Sequence, residues 1–521
     1  MLCPRARRGA APLALALALA VPSPASAQDE RDCFWQGGTR STNIAYPDLG
    51  ARYWVSSFPL PPGAELILKG RYPHARYMSF NVYDAAAQPT DGVADVDVAP
   101  DPGSTNPFPP GAQRDLEKRD YTLRVVAGAR PERREPNTVY LNAAGQGTPV
   151  GVIMYRVYVA DDGRDPAGGA GLPEVSMRLP GGQVLDQPLV CQSRADTGAN
   201  QAVEAFHAGT DGPDSANPTS EDPIRWEAFF NYFQAFSYPA GATPAGSGRA
   251  VLPRDKLGGF LSNVDNAYTL ATSNRGIGPV VVLEGRAPAT PRTRDGRRVM
   301  EGGQVRYWSL CENEFASQRV IDCVYDEQVL TDAAGRFTVV MSEPGERPAN
   351  ARAECGVNWI AWGAQPDGLL ILRHMLPSPG FAQAIQRVSE PGTEQAVIGE
   401  YLPVGRHTTR AAFEGRGCGR PAVAPPPAAR PAIRLSVSPA RGRAGRRVVF
   451  RFKARYRAAG RLLPVAGARV RFANEVGVTD ARGRVAIAQR FTHARAYRPR
   501  ACRAGFECGR VSVRALAPRR R

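Results

Sequence analysis

The sequence predicts a mainly β protein: two homologous, jelly-roll-like β-sandwich domains, one short connecting helix, and a third, smaller β unit. Three observations predict it. One stretch is written twice: Tyr53, Gly63, Leu68, Gly70 and Arg71 return 215 positions later as Tyr268, Gly278, Leu283, Gly285 and Arg286. The echo continues, with gaps, from Arg76-Tyr77-Met78-Ser79-Phe80 to Arg306-Tyr307-Trp308-Ser309-Leu310, and from Tyr121-Thr122-Leu123 to Phe337-Thr338-Val339. Asn137 then matches Asn358, and Ile153-Met154-Tyr155-Arg156 matches Leu370-Ile371-Leu372-Arg373. The second observation is that the apolar runs are short, rich in β-branched and aromatic residues, and divided by Pro/Gly turns. The third is alternation. Ile153, Tyr155, Val157 and Val159 alternate with Met154, Arg156 and Tyr158, which predicts a strand with one face in the core.

The elements follow in chain order. Residues 1–27 read as an export signal: Arg5, Arg7 and Arg8 precede an apolar stretch, and Ala25-Ser26-Ala27 suits cleavage. That stretch is too short to span a bilayer, and no later run is long enough. The first sandwich is expected over 28–194, with strands at 53–58, 65–69, 77–83, 121–126, 138–141 and 152–159. Residues 195–250 read as a linker containing one helix over 223–238. Asp222 would cap it and Pro223 would sit in its first turn. Trp226, Phe229, Phe230, Phe233 and Phe236 would form its apolar stripe. The second sandwich is expected over 251–418, with an insertion at 288–303. A Pro/Ala linker, 419–432, leads to the third β unit, 433–516, and a basic tail, 517–521. In that unit Val448, Phe450, Phe452, Ala454 and Tyr456 alternate with Val449, Arg451, Lys453, Arg455 and Arg457. One face is core and the other is nearly all cationic.

The charge is divided unevenly. The chain carries a net +17. Residues 433–521 hold 24 basic against 3 acidic residues, and 28–432 hold 39 against 46. A mildly acidic body therefore precedes a very basic module. Eight cysteines follow the signal, an even number that suggests disulfides in an exported chain. Cys33 and Cys191 bracket the first copy, and Cys311 and Cys323 lie close together in the second. Cys355 and Cys418 would tie its late strands to its end, and Cys502 and Cys508 would close a small loop. Other pairings remain open at this point. Zinc is disfavoured, since no Cys-x-x-Cys pair or His cluster is present.

Two resemblances add to this reading. Pro464-Val465-Ala466-Gly467-Ala468-Arg469-Val470 and Thr479-Asp480-Ala481-Arg482-Gly483-Arg484-Val485 resemble bacterial immunoglobulin-like and carboxypeptidase-regulatory-like modules, implying an immunoglobulin-like β-sandwich there. Arg306-Tyr307-Trp308-Ser309-Leu310, Cys355-Gly356-Val357-Asn358-Trp359 and Leu372-Arg373-His374-Met375-Leu376-Pro377 resemble uncharacterised exported proteins of high-GC bacteria. Those carry a duplicated β-sandwich domain of unknown function. The likeness implies a fold and a compartment, with no activity attached.

Candidate chemistry is sparse. No Gly-x-Ser-x-Gly elbow, His-Glu-x-x-His helix, Walker loop or dinucleotide fingerprint occurs. The five histidines (74, 207, 374, 407, 493) are scattered. Arg156 and Arg373 sit at matching positions inside apolar strands, where a planar guanidinium could take an acidic ligand, form a structural ion pair or face solvent. Asp91, Asp95, Asp97 and Asp101, and Asp161, Asp162 and Asp165, could offer calcium its oxygens or be solvated loops. Tyr77, Tyr83, Trp308 and Trp359 could form a sugar platform or be core. The cationic face of Arg451, Lys453, Arg455 and Arg457 is the leading binding candidate. Its expected partner is an anionic envelope polymer or another polyanion. The expected function is a non-enzymatic, exported or envelope-associated binding protein, with carbohydrate among its possible ligands. The alternative is a secreted hydrolase or carbohydrate-active enzyme with its site between the copies; a purely structural spacer is a third reading.

Overall fold

The computed structural model describes residues 32–37, 43–84, 88–142, 150–193, 220–228, 261–418, 432–458, 461–503, 506 and 508–517. The expected export signal and most of both expected linkers lie outside them. The chain divides into two compact units, 1–422 and 423–521.

The first copy contains β1 (Gln36–Gly37), β2 (Ala51–Pro59), β3 (Glu65–Arg71), β4 (Ala75–Tyr83), β5 (Pro89–Ala94), β6 (Asp120–Ala127), β7 (Thr138–Leu141), β8 (Val150–Ala160), β9 (Glu174–Arg178) and β10 (Val184–Leu185). They form two sheets, in the orders β1-β2-β8-β4-β5 and β10-β9-β3-β6-β7. A short helix, α1 (Gln187–Gln192), closes the copy, its first turn capped by Asp186.

The second copy contains β11 (Asn266–Asn274), β12 (Val280–Arg286), β13 (Tyr307–Glu314), β14 (Val320–Tyr325), β15 (Arg336–Ser342), β16 (Val357–Ala361), β17 (Asp367–Met375), α2 (Glu394–Ile398), β18 (Val404–Thr408) and α3 (Arg410–Glu414). Its sheets run β11-β17-β13-β14 and β16-β15-β12-β18. Laying β2 through β9 onto β11 through β18 in order converts one topology into the other. A parallel pairing recurs as well, β6 with β7 and β15 with β16. So do left-handed backbones at matching places: Tyr46 and Leu261, Val159 and Leu376. The repeated glycine has a steric cause. The Tyr121 ring lies across Gly70, its hydroxyl 2.5 Å from where a Cβ would stand, and Phe337 lies likewise over Gly285 at 3.1 Å.

One expected element differs. The helix over 223–238 does not begin at its proposed cap. Ile224 and Glu227 instead make single antiparallel bridges to Gly405 and Leu270. Residues 229–238 lie outside the described part. The Trp226 indole donates to the Pro403 carbonyl at 2.6 Å and sits in the second core. Trp35 does the same in the first copy, donating to Pro173 at 2.7 Å beside β1. Residues 224–227 are therefore the counterpart of the β1 edge, and the second copy begins earlier than 251. Of the stripe only Trp226 lies within the described residues, and a lone aromatic with polar neighbours satisfies either period.

The four expected disulfides are all present: Cys33–Cys191, Cys311–Cys323, Cys355–Cys418 and Cys502–Cys508. The first ties the start of copy one to α1.

β8 is buried on both faces, as are β4, β13 and β17. One face of β8 (Ile153, Tyr155, Val157) fills the core of its own sandwich. The other faces the second copy, where Tyr77 and Tyr158 meet Tyr307 and Met375. The two sandwiches are thus stacked through their front sheets into four β layers. The insertion at 288–303 straps the stack. Val299 bridges Gln113, Met300 exchanges backbone hydrogen bonds with Gly111 and Ala112, and its side chain completes the first copy's core.

The C-terminal unit holds β19 (Arg434–Ser438), β20 (Arg441–Arg443), β21 (Arg447–Ala458), β22 (Arg461–Pro464), β23 (Arg469–Phe472), β24 (Glu475–Val478), β25 (Arg484–Arg490), β26 (Ala496–Tyr497), β27 (Arg500–Cys502), β28 (Gly509–Arg510) and β29 (Val513–Leu516). One sheet runs β19-β21-β22 with β25 also on β21, another β24-β23-β27-β28, and a third β20-β29-β26. Phe450 and Phe452 from the first pack on Phe472 from the second, so those two sheets face each other across one core.

Candidate functional site

The seam between the copies buries several polar and charged side chains, Asp48, Arg76, Arg156, Arg306 and Arg373 among them. Each copy sends the segment before its first long strand across the other's front sheet. Arg373 donates to the Tyr46 carbonyl at 2.6 Å, and Arg156 donates to the Leu261 carbonyl at 2.7 Å and to the Tyr83 hydroxyl at 2.6 Å. Both guanidiniums lie at least 97 % buried, so the acidic-ligand reading of Arg156 and Arg373 gives way to a structural one. Asp48 accepts from the Tyr307 and Ser309 hydroxyls at 2.7 and 2.6 Å and lies 3.7 Å from Arg373. In the mirrored position Asn263 meets the Tyr77 hydroxyl, which donates to Asp265 at 2.6 Å. The carboxylate has moved two residues along the chain.

Arg76 and Arg306 straddle the same axis, each donating to the other's carbonyl at 3.4 Å. Arg76 pairs with Asp326 and Glu327, and Arg306 with Asp95 at 3.0 Å. Burial pushes Asp95 and Asp326 each up to about 6, and the facing arginines oppose that rise.

The acidic candidates are similarly engaged. Asp91 pairs with Arg134 and Asp95 with Arg306. Asp161 pairs with Arg114 at 2.6 Å and Asp162 with Arg294 at 2.8 Å. Asp101 accepts from Thr122, and Asp165 caps the amides of Ala167 and Gly169. Asp97 lies in a short helical turn after β5. These oxygens answer arginines and backbone amides and do not converge on one point. Among the described residues the single metal-compatible cluster is Asp48, Cys311 and Cys323, whose sulfurs form a disulfide. The aromatic platform is not assembled either. Tyr77, Tyr83 and Trp308 are buried in different clusters, and the half-buried Trp359 lies under Arg347. Burial and neighbouring Arg119 push His74 down to about 4, and burial pushes His374 down to about 3, so both are neutral at pH 7.

The basic unit presents an open surface. Arg451, Lys453, Arg455 and Arg457 project from β21 and are exposed, while Phe450, Phe452 and Ala454 between them are core. The neighbouring strands extend the patch. Arg434 stands opposite Arg455, Arg484 opposite Lys453, and Arg490 opposite Arg447. Like charges directly across an antiparallel pair repel. None of Arg434, Arg447, Arg451, Lys453, Arg455 and Arg484 joins an ion pair among the described residues.

Sequence reasoning found the β21 face and missed the seam network. Arg76 and Arg306 were visible as repeated charges, and charge kept in both copies beside apolar strands is the signal for a copy–copy contact. Asp48 carried no such signal, because its counterpart is Asn263.

Neither a protein-family model nor a curated protein matches the chain. Among solved structures, an uncharacterised protein from Burkholderia cenocepacia is similar over 77 % of this chain and 86 % of its own, with 12 % identity and a TM-score of 0.43. The VPA0106 protein from Vibrio parahaemolyticus is similar over 72 % and 91 %, with 10 % identity and a TM-score of 0.34.

Proposed function

We propose that this chain is an exported, envelope-associated binding protein without catalytic activity, whose basic C-terminal unit holds the duplicated body at an anionic polymer. The observation that carries the reading is the β21 face: a sheet surface of mutually opposed cations, of which Arg451, Lys453 and Arg455 join no ion pair among the described residues, and whose repulsion a polyanion would relieve. The four disulfides and the signal-like first 27 residues support an oxidising compartment. No described helix is long and apolar enough to cross a membrane; electrostatic attachment is this reading's means of retention. The Pro/Ala linker before the unit suits a spacer.

The test is binding of the full chain to immobilised poly(glycerol phosphate) across a salt series. Affinity should fall with salt, and R451Q/K453Q/R455Q should lower the log–log salt slope by about 3, roughly one per cation removed. An unchanged slope in that variant would remove the β21 face from the proposal.

A further inference from the structure

The unit's second sheet carries a concavity of about 690 Å³. Arg469, Arg471, Arg495, Arg498 and Arg500 line it, with Tyr497, Val476, Ala473, Ala496 and Cys502. Among the described residues neither an acidic residue nor a lysine lines it. Arg469 and Arg471 project from β23, whose alternate residues Val470 and Phe472 are core. Arg471 stands opposite Arg500, which stands opposite Arg510, so three guanidiniums form one row across three neighbouring strands. Arg495 stacks on the Tyr497 ring at 4.6 Å, which fixes one wall. None of the five lining arginines is in an ion pair among the described residues.

We propose that this concavity is a binding site for a compact oligophosphoryl group, either free or carried on a sugar. Charge density decides the class. Five cations converge on a space the size of an ordinary small-molecule pocket. Carboxylates bring one charge each, and five would have to crowd in to balance them. A terminal phosphoryl group brings about −1.5 to −2 with three acceptor oxygens, and an inner one adds about −1, so a chain of about three comes near balance. Planar arginine forks match such oxygens in pairs, which lysine does not. The row of opposed arginines repels itself when empty and is neutralised when filled. The site lies on the outer face of the sheet across the core from β21, so it stands or falls apart from the polymer-binding face.

Isothermal titration of the full chain with inorganic tripolyphosphate tests it. One ligand should bind per chain, at least tenfold more tightly than citrate. R471K/R500K keeps every charge and loses the forks; it should weaken tripolyphosphate at least tenfold while leaving the poly(glycerol phosphate) salt slope unchanged. R451Q/K453Q/R455Q should bind tripolyphosphate as the parent does. A phosphomonoester-bearing oligosaccharide that competes with tripolyphosphate identifies the carried source, and one that does not compete identifies the free source. Citrate binding equally well, no saturable binding, or full affinity in R471K/R500K would reduce the concavity to a diffuse charged patch and overturn the assignment.

Discussion

Glu312 lies on β13 in line with Trp308 and Leu310, pointing between the two sheets of the second copy. It is wholly buried, packed over Gly368, and its oxygens have no hydrogen-bond partner of ordinary geometry. Burial therefore pushes its carboxyl well above the usual range, and the Asn313 amide offsets that only in part. The linkage sign follows. A folded-state value above the unfolded one means the native state holds an extra proton, so stability falls as pH rises beyond the unfolded value. Glu312→Gln removes that dependence. Melting curves of variant and parent should nearly coincide at pH 4 and separate in the variant's favour towards pH 8. A gap that stays constant over that range would show that Glu312 is not held protonated. The buried carboxylates of the seam differ, because Asp95 and Asp326 face arginines that would be stranded by the same change.

The strap at 288–303 is an element without regular secondary structure that acts as a core component. Arg114 reaches the Arg297 carbonyl at 2.8 Å, Arg298 pairs with Asp115, and Met300 is 1 % exposed among first-copy side chains. Met300→Ala should lower the unfolding free energy of the duplicated body by about 2–5 kcal/mol, the usual cost of emptying a core site. Urea unfolding measures it, and a loss of about 0.5 kcal/mol or less would mean the loop merely rests on the surface. The sequence identified this insertion by comparison of the two copies but gave no sign of its destination, since one methionine among polar residues carries no period. The strands were legible for the opposite reason. Runs such as Ile153 to Val159 alternate, and that alternation places one face inward whatever lies opposite. For the other face, Met154, Arg156 and Tyr158, alternation predicts nothing beyond its lying outside its own sandwich. A second sheet covers that side, and local pattern has no term for a partner 215 positions away. The β21 cations were legible because exposure and alternation coincide there. The concavity was not, because Arg469 and Arg471 meet Arg500 only through sheet pairing.

At the scale of the molecule, four β layers share three interfaces, and the middle one belongs to neither copy alone. Tyr46 and Asp48 finish the second copy's front sheet, and Leu261 and Asn263 finish the first's. A fragment of residues 28–194 would expose the Tyr77, Tyr158 and Met154 face and lack Met300. It should show no cooperative thermal transition by near-UV circular dichroism, whereas the full chain should. A cooperative melt of that fragment near the parent temperature would mean the seam is incidental. The Cys33–Cys191 bridge would constrain even the open fragment, closing a span of 158 residues worth about 5 kcal/mol in the chain-entropy account.

The strap also sets a schedule. A polypeptide is made from its N-terminus, and every strand of the first sandwich has been synthesised before Met300 exists. For that interval the first half is a finished chain with an unfinished interior. Its tyrosine-rich flank waits for a counterpart still being translated. Slowing elongation between the two halves would lengthen that exposure and raise the share of chains lost to proteases or to mispairing with another newborn copy.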